Sequence, residues 1–320
     1  MPASAVRAGL GFAVLLGVLW LVGGHFGITA RASGNAVPAF ASLALLLAPY
    51  WAFGFGAADW VAAQLTTSLA RLAAASLLLL PYIVFAIPTG QFRWDMCGGL
   101  LAFVLLISGL LESARQSEVG WREWMVLLLL ALAVESHVFD KAWVVPGFSA
   151  LPKLLTVDLG LFGFLVIRPI GGIGYDFRPV RRDFGIGLRE FLFFTPIALA
   201  FGLATAFLHV HPTPASPWHF AAGWIFTLFF IAVPEELFFR GLLLNLLERK
   251  IGARNGLSIS SVLFGLAHFN KRAVYFNWRY VILAAIAGVF YARAWRDRRR
   301  VLTSSITHAT VDTVWSIWLR

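Results

Sequence analysis

The chain consists of long apolar runs separated by short polar or charged segments. A helix needs about 20 apolar residues to cross the hydrocarbon core of a bilayer, and open strands would leave backbone groups unpaired in lipid. The runs therefore predict transmembrane helices. They lie near Gly9–Ile28, Val37–Ala57, Leu72–Pro88, Met96–Leu111, Trp124–Val138, Leu154–Ile167, Phe191–Leu208, Phe220–Leu247, Leu257–Phe269, Tyr280–Ala294 and Val301–Leu319. Because the fifth, sixth and ninth are short or interrupted, we predict an all-α, polytopic transmembrane helical bundle of about 9–11 spans.

Composition places most of the chain in lipid. Of 320 residues, 59% are hydrophobic and 13% are charged. In soluble domains, about a quarter of all residues are charged. The net charge of +10 is distributed in short basic clusters between apolar runs, which anionic lipid headgroups explain better than nucleic acid. We therefore expect the bilayer, and no nucleic acid, as a partner. The single cysteine, Cys97, excludes an intrachain disulfide and a CxxC motif.

The basic clusters also predict an orientation. Three clusters are separated from one another by two predicted spans, so they fall on one side of the membrane, which the positive-inside bias assigns to the cytoplasm. These clusters are Arg178–Arg189, Arg249–Arg254 and Arg293–Arg300. A fourth basic loop, with Lys271, Arg272 and Arg279, falls on the opposite side. The majority predicts a cytoplasmic N-terminus, and the composition suggests a bacterial cytoplasmic membrane.

The segment Arg168–Glu190, which is rich in glycine and arginine, is the best boundary within the chain. Spans before it are nearly free of ionisable residues, whereas spans after it contain several. We predict a multi-span membrane module of unknown role over residues 1–170, a basic loop over 171–190 and a helical domain that carries the chemistry over 191–320.

Some conspicuous polar residues are expected to have no catalytic task. Glu135, His137 and Asp158 fall near predicted helix ends, where snorkelling lowers the cost of a polar group. The tryptophan and tyrosine residues are interpreted mainly as anchors at the membrane interface.

The strongest polar cluster inside a predicted span begins at Pro234 and continues with Glu235 and Glu236. Ionisable side chains in a membrane helix cost several kcal/mol and usually have a partner or a task. Glu236 and Arg240 stand at i,i+4, the spacing at which a carboxylate and a guanidinium meet on one helix face. Adjacent carboxylates point about 100° apart, so Glu235 is expected to face elsewhere and stay free.

Two further sets of polar residues lie on later predicted spans. His268 ends a short span, and His308 and Asp312 share one face of the last helix at i,i+4. A lone buried histidine is more often structural than catalytic, and the His308–Asp312 pair is also explained by a local hydrogen bond. Their occurrence on consecutive spans with Glu235 favours a shared site.

These residues resemble the CPBP family of intramembrane proteases (CAAX protease and bacteriocin-processing, Abi-type), which are related to Rce-type CAAX endopeptidases. That family has a Glu-Glu-x-x-x-Arg motif, then Phe-x-x-x-His, then His-x-x-x-Asn or Asp. Matching positions stand here in the same order. They are Glu235, Glu236 and Arg240, then Phe264 and His268, then His308 and Asp312. The resemblance extends from about Asp183 to the last residue.

The resemblance implies an intramembrane endopeptidase that hydrolyses a peptide bond in a membrane-associated polypeptide. Glu235 and His268 would activate water, and His308 and Asp312 would stabilise the oxyanion, while Glu236 and Arg240 support the site. An ionised carboxylate would repel an oxyanion, so Asp312 must be protonated or must orient His308.

Other interpretations remain open on the sequence alone. Glu235, His268, His308 and Asp312 together have donor types that bind Zn²⁺, although metal-free chemistry, without a cofactor, is favoured. A non-catalytic immunity or scaffold protein, or a proton-coupled transporter, would also retain buried polar residues. The substrate, the involvement of prenylated proteins and the oligomeric state cannot be read from the sequence.

Overall fold

A computed structural model describes residues 3–212, 214, 216–271 and 275–319. Arg272, one of the residues of the fourth basic loop, lies outside these ranges. The described residues form helices and no strand, which confirms the predicted all-α class. The chain divides into two compact units, Met1–Ile170 and Gly171–Arg320.

The N-terminal unit consists of helices of very different length. They are α1 (Ala3–His25), α2 (Ile28–Arg31), α3 (Ala36–Gly54), α4 (Ala57–Gln64), α5 (Ser68–Ser76), α6 (Leu80–Ala86), α7 (Trp94–Ser113), α8 (Trp121–Glu135) and α9 (Leu151–Phe162). A π-helical turn, Gly163–Ile167, continues α9. This helix is buried on nearly every face, as expected for a central apolar segment.

Asp158 contradicts the expectation that it lies near a helix end. It stands well inside α9 and is 0% exposed. Neither oxygen of its carboxyl group has a hydrogen-bond partner among the described residues. The predicted span began at Leu154, whereas α9 begins at Leu151, which places Asp158 about two turns inside the helix.

The C-terminal unit contains all residues of the predicted site. Its helices are α10 (Arg181–Ala204), α11 (Pro217–Thr227), α12 (Val233–Glu236), α13 (Asn245–Ile251), α14 (Ala253–Leu266), α15 (Trp278–Arg298) and α16 (Val301–Trp318). Two π-helical segments, Leu228–Ala232 and Leu237–Leu244, join α11, α12 and α13 into one continuous helical stretch, Pro217–Ile251.

Local sequence signals explain where these helices begin and end. Ser216 accepts a hydrogen bond from the backbone N–H of His219 and so caps α11, with Pro217 in the first turn. Asn277 caps α15 in the same way, through the N–H of Tyr280. Gly252 has φ +81°, which lets the chain turn sharply between α13 and α14.

The segment 171–190, predicted as a basic loop, contains the start of α10. Residues from Arg181 onward are helical, because the carboxylate of Asp183 accepts the N–H of Val180 at 3.1 Å and caps α10. Part of the positive charge of the segment before α10 is neutralised by Asp176. Asp176 accepts hydrogen bonds from Arg178 at 2.9 Å and from Arg300 at 3.1 Å. Burial raises the pKa of Asp176, but the bonds from Arg178 and the charge of Arg300 outweigh it and hold the pKa below the usual 3.8.

Six helical stretches in the described part of the chain are long and apolar enough to cross a membrane, fewer than the predicted 9–11. They are Val6–His25, Ser33–Gly54, Ser68–Ala86, Trp94–Ser113, Arg181–Ala204 and Pro217–Ile251. Several other predicted spans are short helices. With 14 residues, α14 rises only about 21 Å, against a hydrocarbon core of about 30 Å.

Close contact between α14 and α15 depends on two glycines. A Cβ at Gly265 would stand 2.4 Å from the carbonyl oxygen of Val281, and one at Gly288 would stand 3.1 Å from the Cα of Ser261. Small residues permit this approach of helix backbones in membrane proteins. The approach sets the position of His268, just after α14, relative to α15.

Candidate active site

The Glu235–Glu236 pair lies in the distorted centre of the long helical stretch. Pro234 has no backbone N–H to donate, and π-helical geometry flanks α12 on both sides. Such bulges are frequent at functional sites because they change the direction of side chains along a helix. Here the bulges surround the two adjacent carboxylates.

Glu236 holds two partners with one oxygen. Its Oε1 accepts a hydrogen bond from Arg240 Nη1 at 3.0 Å and another from His308 Nδ1 at 2.9 Å. The side chains of Glu236 and Arg240 are both 0% exposed. The ion pair predicted from the i,i+4 spacing is therefore confirmed, and the contact with His308, from a helix far away in sequence, is an addition to it.

Arg240 is enclosed by acceptors and aromatic rings. It donates to the carbonyl oxygen of Gly288 at 3.1 Å, and its guanidinium carbon lies 4.4 Å from the ring centroid of Phe264 and 5.3 Å from that of Tyr291. Planar guanidinium groups stack favourably on aromatic faces. These contacts hold the guanidinium group in place, and the guanidinium group in turn positions the carboxylate of Glu236.

His308 is fixed by stacking as well as by hydrogen bonding. Its ring lies parallel to that of Tyr291, with centroids 4.6 Å apart and an interplanar angle of 16°. Phe264 meets it edge-on at 5.7 Å. Since an ionised carboxylate only accepts hydrogen bonds, the proton on Nδ1 of His308 points at Glu236. The other nitrogen, Nε2, is therefore the one available for chemistry.

Two further carboxylates surround that second nitrogen. Asp312 Oδ2 lies 3.4 Å and Glu235 Oε2 lies 3.9 Å from His308 Nε2. The adjacent Glu235 and Glu236 thus approach opposite nitrogens of the His308 ring. Their spacing had predicted that Glu235 would face away from the partners of Glu236. Side chains of Glu235 and Asp312 are 36% and 30% exposed, so both are reachable from outside.

His268 contacts the same Phe264 ring as His308. Its Nδ1 donates to the carbonyl oxygen of Phe264 at 2.8 Å, and its ring lies 4.9 Å from the rings of Phe264 and Tyr280. Among the described residues, no hydrogen bond or ion pair joins His268 to Glu235. The structure therefore brings Glu235 close to His308. His268 is linked to His308 through the ring of Phe264, which contacts both histidines.

A cavity of about 70 Å³ adjoins the two histidines and Asp312. His268, His308 and Asp312 line one end of it, together with Tyr280 and Tyr291. Most of the other lining residues are apolar, and most of them belong to α10, α15 and α16. A small polar region therefore opens directly onto an apolar one.

The family comparison concerns the same part of the chain. Residues 217–314 match the family profile described as Rce1-like, type II CAAX prenyl endopeptidase. Over these residues the chain is similar to the Rce1-like family. The match supports a CAAX-type intramembrane endopeptidase in general, and an integral membrane protein. Neither a curated protein nor a solved structure matches the chain.

All seven predicted site residues lie within the Rce1-like segment. As for the zinc alternative, no three His, Cys, Asp or Glu side chains in the described ranges are grouped so as to hold a metal ion. Glu236 is already bound to Arg240 and His308. Of the four predicted zinc ligands, His308 already uses Nδ1 for its bond to Glu236, which leaves Nε2 as its one nitrogen for any further partner.

Two tyrosines of the Rce1-like segment were misinterpreted from the sequence. Tyr291 is 2% exposed and stacks on His308, and Tyr280 contacts His268, so neither is simply an interfacial anchor. Spacing could have identified them. Tyr280, Ala284, Ala287 and Tyr291 recur at i, i+4, i+7 and i+11, the repeat of one helix face, and all four line the cavity.

Proposed function

We propose that this protein is an intramembrane endopeptidase that hydrolyses a peptide bond of a membrane-associated polypeptide without a metal. The observation that carries the proposal is the arrangement of three carboxylates around His308, inside the segment that matches a family of membrane endopeptidases. A purely structural ion pair would need Glu236 and Arg240 alone, and leaves Glu235 and Asp312 unexplained.

In this proposal Glu235 is the general base. Its Oε2 is buried and has no hydrogen-bond partner among the described residues, while the side chain as a whole remains partly exposed. A carboxylate in that position can take a proton from water as the water oxygen bonds to the substrate carbonyl carbon. His268, whose Nδ1–H is bound to a carbonyl, presents Nε2 as an acceptor that helps to orient the same water.

His308 stabilises the developing oxyanion. For Nε2 to donate to an oxyanion while Nδ1 donates to Glu236, the ring must be an imidazolium, and the neighbouring carboxylates offer that cation negative partners. Asp312 then has the orienting role, at 3.4 Å from Nε2. The tetrahedral intermediate collapses when the carbon–nitrogen bond breaks and the proton held by Glu235 passes to the leaving amine.

The test compares membranes from cells that carry wild-type protein, Glu235→Gln or Glu118→Gln. Glu118 is an exposed carboxylate of the other unit, so it is the matched control for the same substitution. We expect new peptide ends, found by mass spectrometry, in wild-type and Glu118→Gln membranes, and their loss in Glu235→Gln. Identical peptides in all three membranes, at equal protein levels, would refute the proposal.

A further inference from the structure

A polar cavity of about 600 Å³ lies within the N-terminal unit, outside the segment that matches the Rce1-like family. It is formed by the end of α4, the start of α5, the end of α7 and the residues that follow α7. Most of its lining side chains carry a hydroxyl, an amide or a charge, among them Thr66, Arg71, Glu112, Ser113, Arg115 and Gln116. Small-molecule sites have volumes of about 300–1,000 Å³, and the lining of this one indicates a polar ligand.

The cavity lies at the level of the lipid headgroups. It adjoins the first residue of one candidate span, Ser68–Ala86, and the last residue of another, Trp94–Ser113. Trp60 and Trp121, on the adjoining helices α4 and α8, are 67% and 62% exposed, and exposed tryptophan favours the membrane interface. Leu69, next to Ser68, is 78% exposed. A ligand in this place therefore meets polar groups in the cavity and lipid-facing apolar surface directly beside it.

Two cations and one carboxylate line the cavity, and only one of the cations is neutralised. Arg71 donates to both oxygens of Glu112, at 2.6 and 2.5 Å, so these two side chains form a closed pair. Arg115 uses only Nη1, which donates to the carbonyl oxygens of Val166 and Ile167. Within the described residues, Nε and Nη2 of Arg115 have no hydrogen-bond partner. The cavity therefore holds one excess positive charge with N–H groups free to bind an anion.

The free groups of Arg115 suit a phosphate. Nε and Nη2 lie on one edge of the guanidinium, and two parallel N–H groups match two oxygens of a phosphodiester. The hydroxyls of Thr66 and Ser113 and the amide of Gln116 offer donors and acceptors to a ligand that carries hydroxyl groups. An ammonium group would need a free carboxylate, but both oxygens of Glu112 are bound to Arg71. The lining thus favours phosphoglycerol over phosphocholine.

We infer that this cavity binds the headgroup of an anionic glycerophospholipid, with its phosphate on Arg115 and its acyl chains beside Leu69. The volume is sufficient. A cavity of about 150 Å³ encloses benzene, so phosphoglycerol with its glycerol backbone, about 15 non-hydrogen atoms, needs roughly 375 Å³. The rest of the 600 Å³ leaves room for water. The inference is independent of the proposed endopeptidase function.

The experiment is native mass spectrometry of the full-length protein in detergent micelles. The protein is titrated with phosphatidylglycerol, phosphatidylcholine or glycerol phosphate, and the mass of each complex counts the molecules bound. The readout is the Kd of the first molecule. Wild-type protein is expected to bind phosphatidylglycerol at least about tenfold more tightly than phosphatidylcholine, because only the anionic lipid has a net charge that the free guanidinium edge can neutralise. Glycerol phosphate, which has no acyl chains, is expected to bind more weakly than phosphatidylglycerol.

Two variants change the cavity in different ways. Arg115→Gln removes the excess charge and is expected to weaken the binding of phosphatidylglycerol about tenfold or more, with that of phosphatidylcholine changed less than about twofold. Ala63→Trp fills the cavity without removing a hydrogen bond and is expected to weaken phosphatidylglycerol binding as well. Arg181→Gln and Ala200→Trp are the matched controls, since both residues are exposed on α10. Circular dichroism verifies folding, and either cavity variant suffices if the other does not fold.

The outcomes separate a lipid from other ligands. Equal affinity of wild-type protein for the two lipids would overturn the headgroup site, as would wild-type affinity for phosphatidylglycerol in either folded cavity variant. Binding of glycerol phosphate as tight as that of phosphatidylglycerol would assign the cavity to a soluble phosphate ester and would overturn the lipid.

Discussion

The buried pair of Glu236 and Arg240 permits a prediction that needs no substrate. The perturbation is a double-mutant cycle made of Glu236→Gln, Arg240→Met and the combined variant. Glutamine keeps an oxygen that can accept from His308. Methionine keeps much of the volume and the contact with aromatic rings that arginine has. Glu236→Gln leaves the Arg240 cation without its carboxylate, Arg240→Met leaves Glu236 with His308 as its remaining partner, and the double variant removes both charges of the pair.

The expected magnitudes follow from burial. Both side chains are fully enclosed, and removal of one partner of a buried ion pair costs about 3–5 kcal/mol, since the remaining charge is uncompensated. Replacement of the whole pair is often close to neutral. The double variant should therefore be more stable than the sum of the single losses predicts, by at least about 3 kcal/mol.

The assay is equilibrium unfolding in mixed detergent micelles, followed by the loss of helical circular dichroism. Arg181→Met, an exposed arginine at the start of α10, is the matched control and should change the free energy of unfolding by less than about 0.5 kcal/mol. Losses that add within about 0.5 kcal/mol in the cycle would show that the two charges are not coupled, and would contradict the view that Arg240 holds Glu236 for His308.

Three further predictions concern other parts of the C-terminal unit. Tyr291→Phe should keep the rate of hydrolysis within a few-fold of wild type, because the ring still stacks on His308. Tyr291→Ala should lose activity and about 3–5 kcal/mol of stability. Equal rates of hydrolysis in the two variants would refute the stacking role. Gly265→Ala should lower the unfolding free energy by about 1–3 kcal/mol, while Gly223→Ala, whose Cβ meets nothing within 4 Å, should not lower it; equal effects would contradict tight packing of α14 on α15. Asp176→Asn should lower the melting temperature at pH 7. The pKa of Asp176 in the folded protein lies below 3.8, so the ionised side chain contributes stability above that value. The difference in melting temperature from wild type should vanish as the pH falls through the folded pKa, and a constant difference would refute the ion-pair origin.

The parts of the fold that sequence predicted are those set by local information. Apolar length along one helix determines bilayer residence, and the i,i+4 spacing of Glu236 and Arg240 determines their ion pair. Both quantities can be counted along the chain.

The parts that sequence missed depend on three-dimensional contacts. The bond from Glu236 to His308 joins residues 72 positions apart, and no local pattern marks it. Asp158 and Tyr291 were assigned to helix ends and membrane interfaces because composition reports what a residue prefers on average. The structure buries both, since helices from elsewhere in the chain cover them.

The structure has fewer long apolar helices than the sequence has apolar runs, and the difference has a physical reason. A charge-free run shows that a segment avoids water, but a short buried helix such as α14 avoids water by packing on its neighbours. Length distinguishes the two cases, and helix ends are the least certain part of a sequence-based prediction. The structure supplies those ends through caps such as Ser216 and Asn277.

Activation of water by Glu235 beside His308 can be measured with purified protein in lipid vesicles and a peptide that wild-type membranes release. The measurement is the rate of hydrolysis under single-turnover conditions for wild type and Glu235→Gln, with circular dichroism to verify equal folding. Glu235→Gln is expected to hydrolyse the peptide more slowly by at least about a hundredfold. Hydrolysis by Glu235→Gln at the wild-type rate would contradict it.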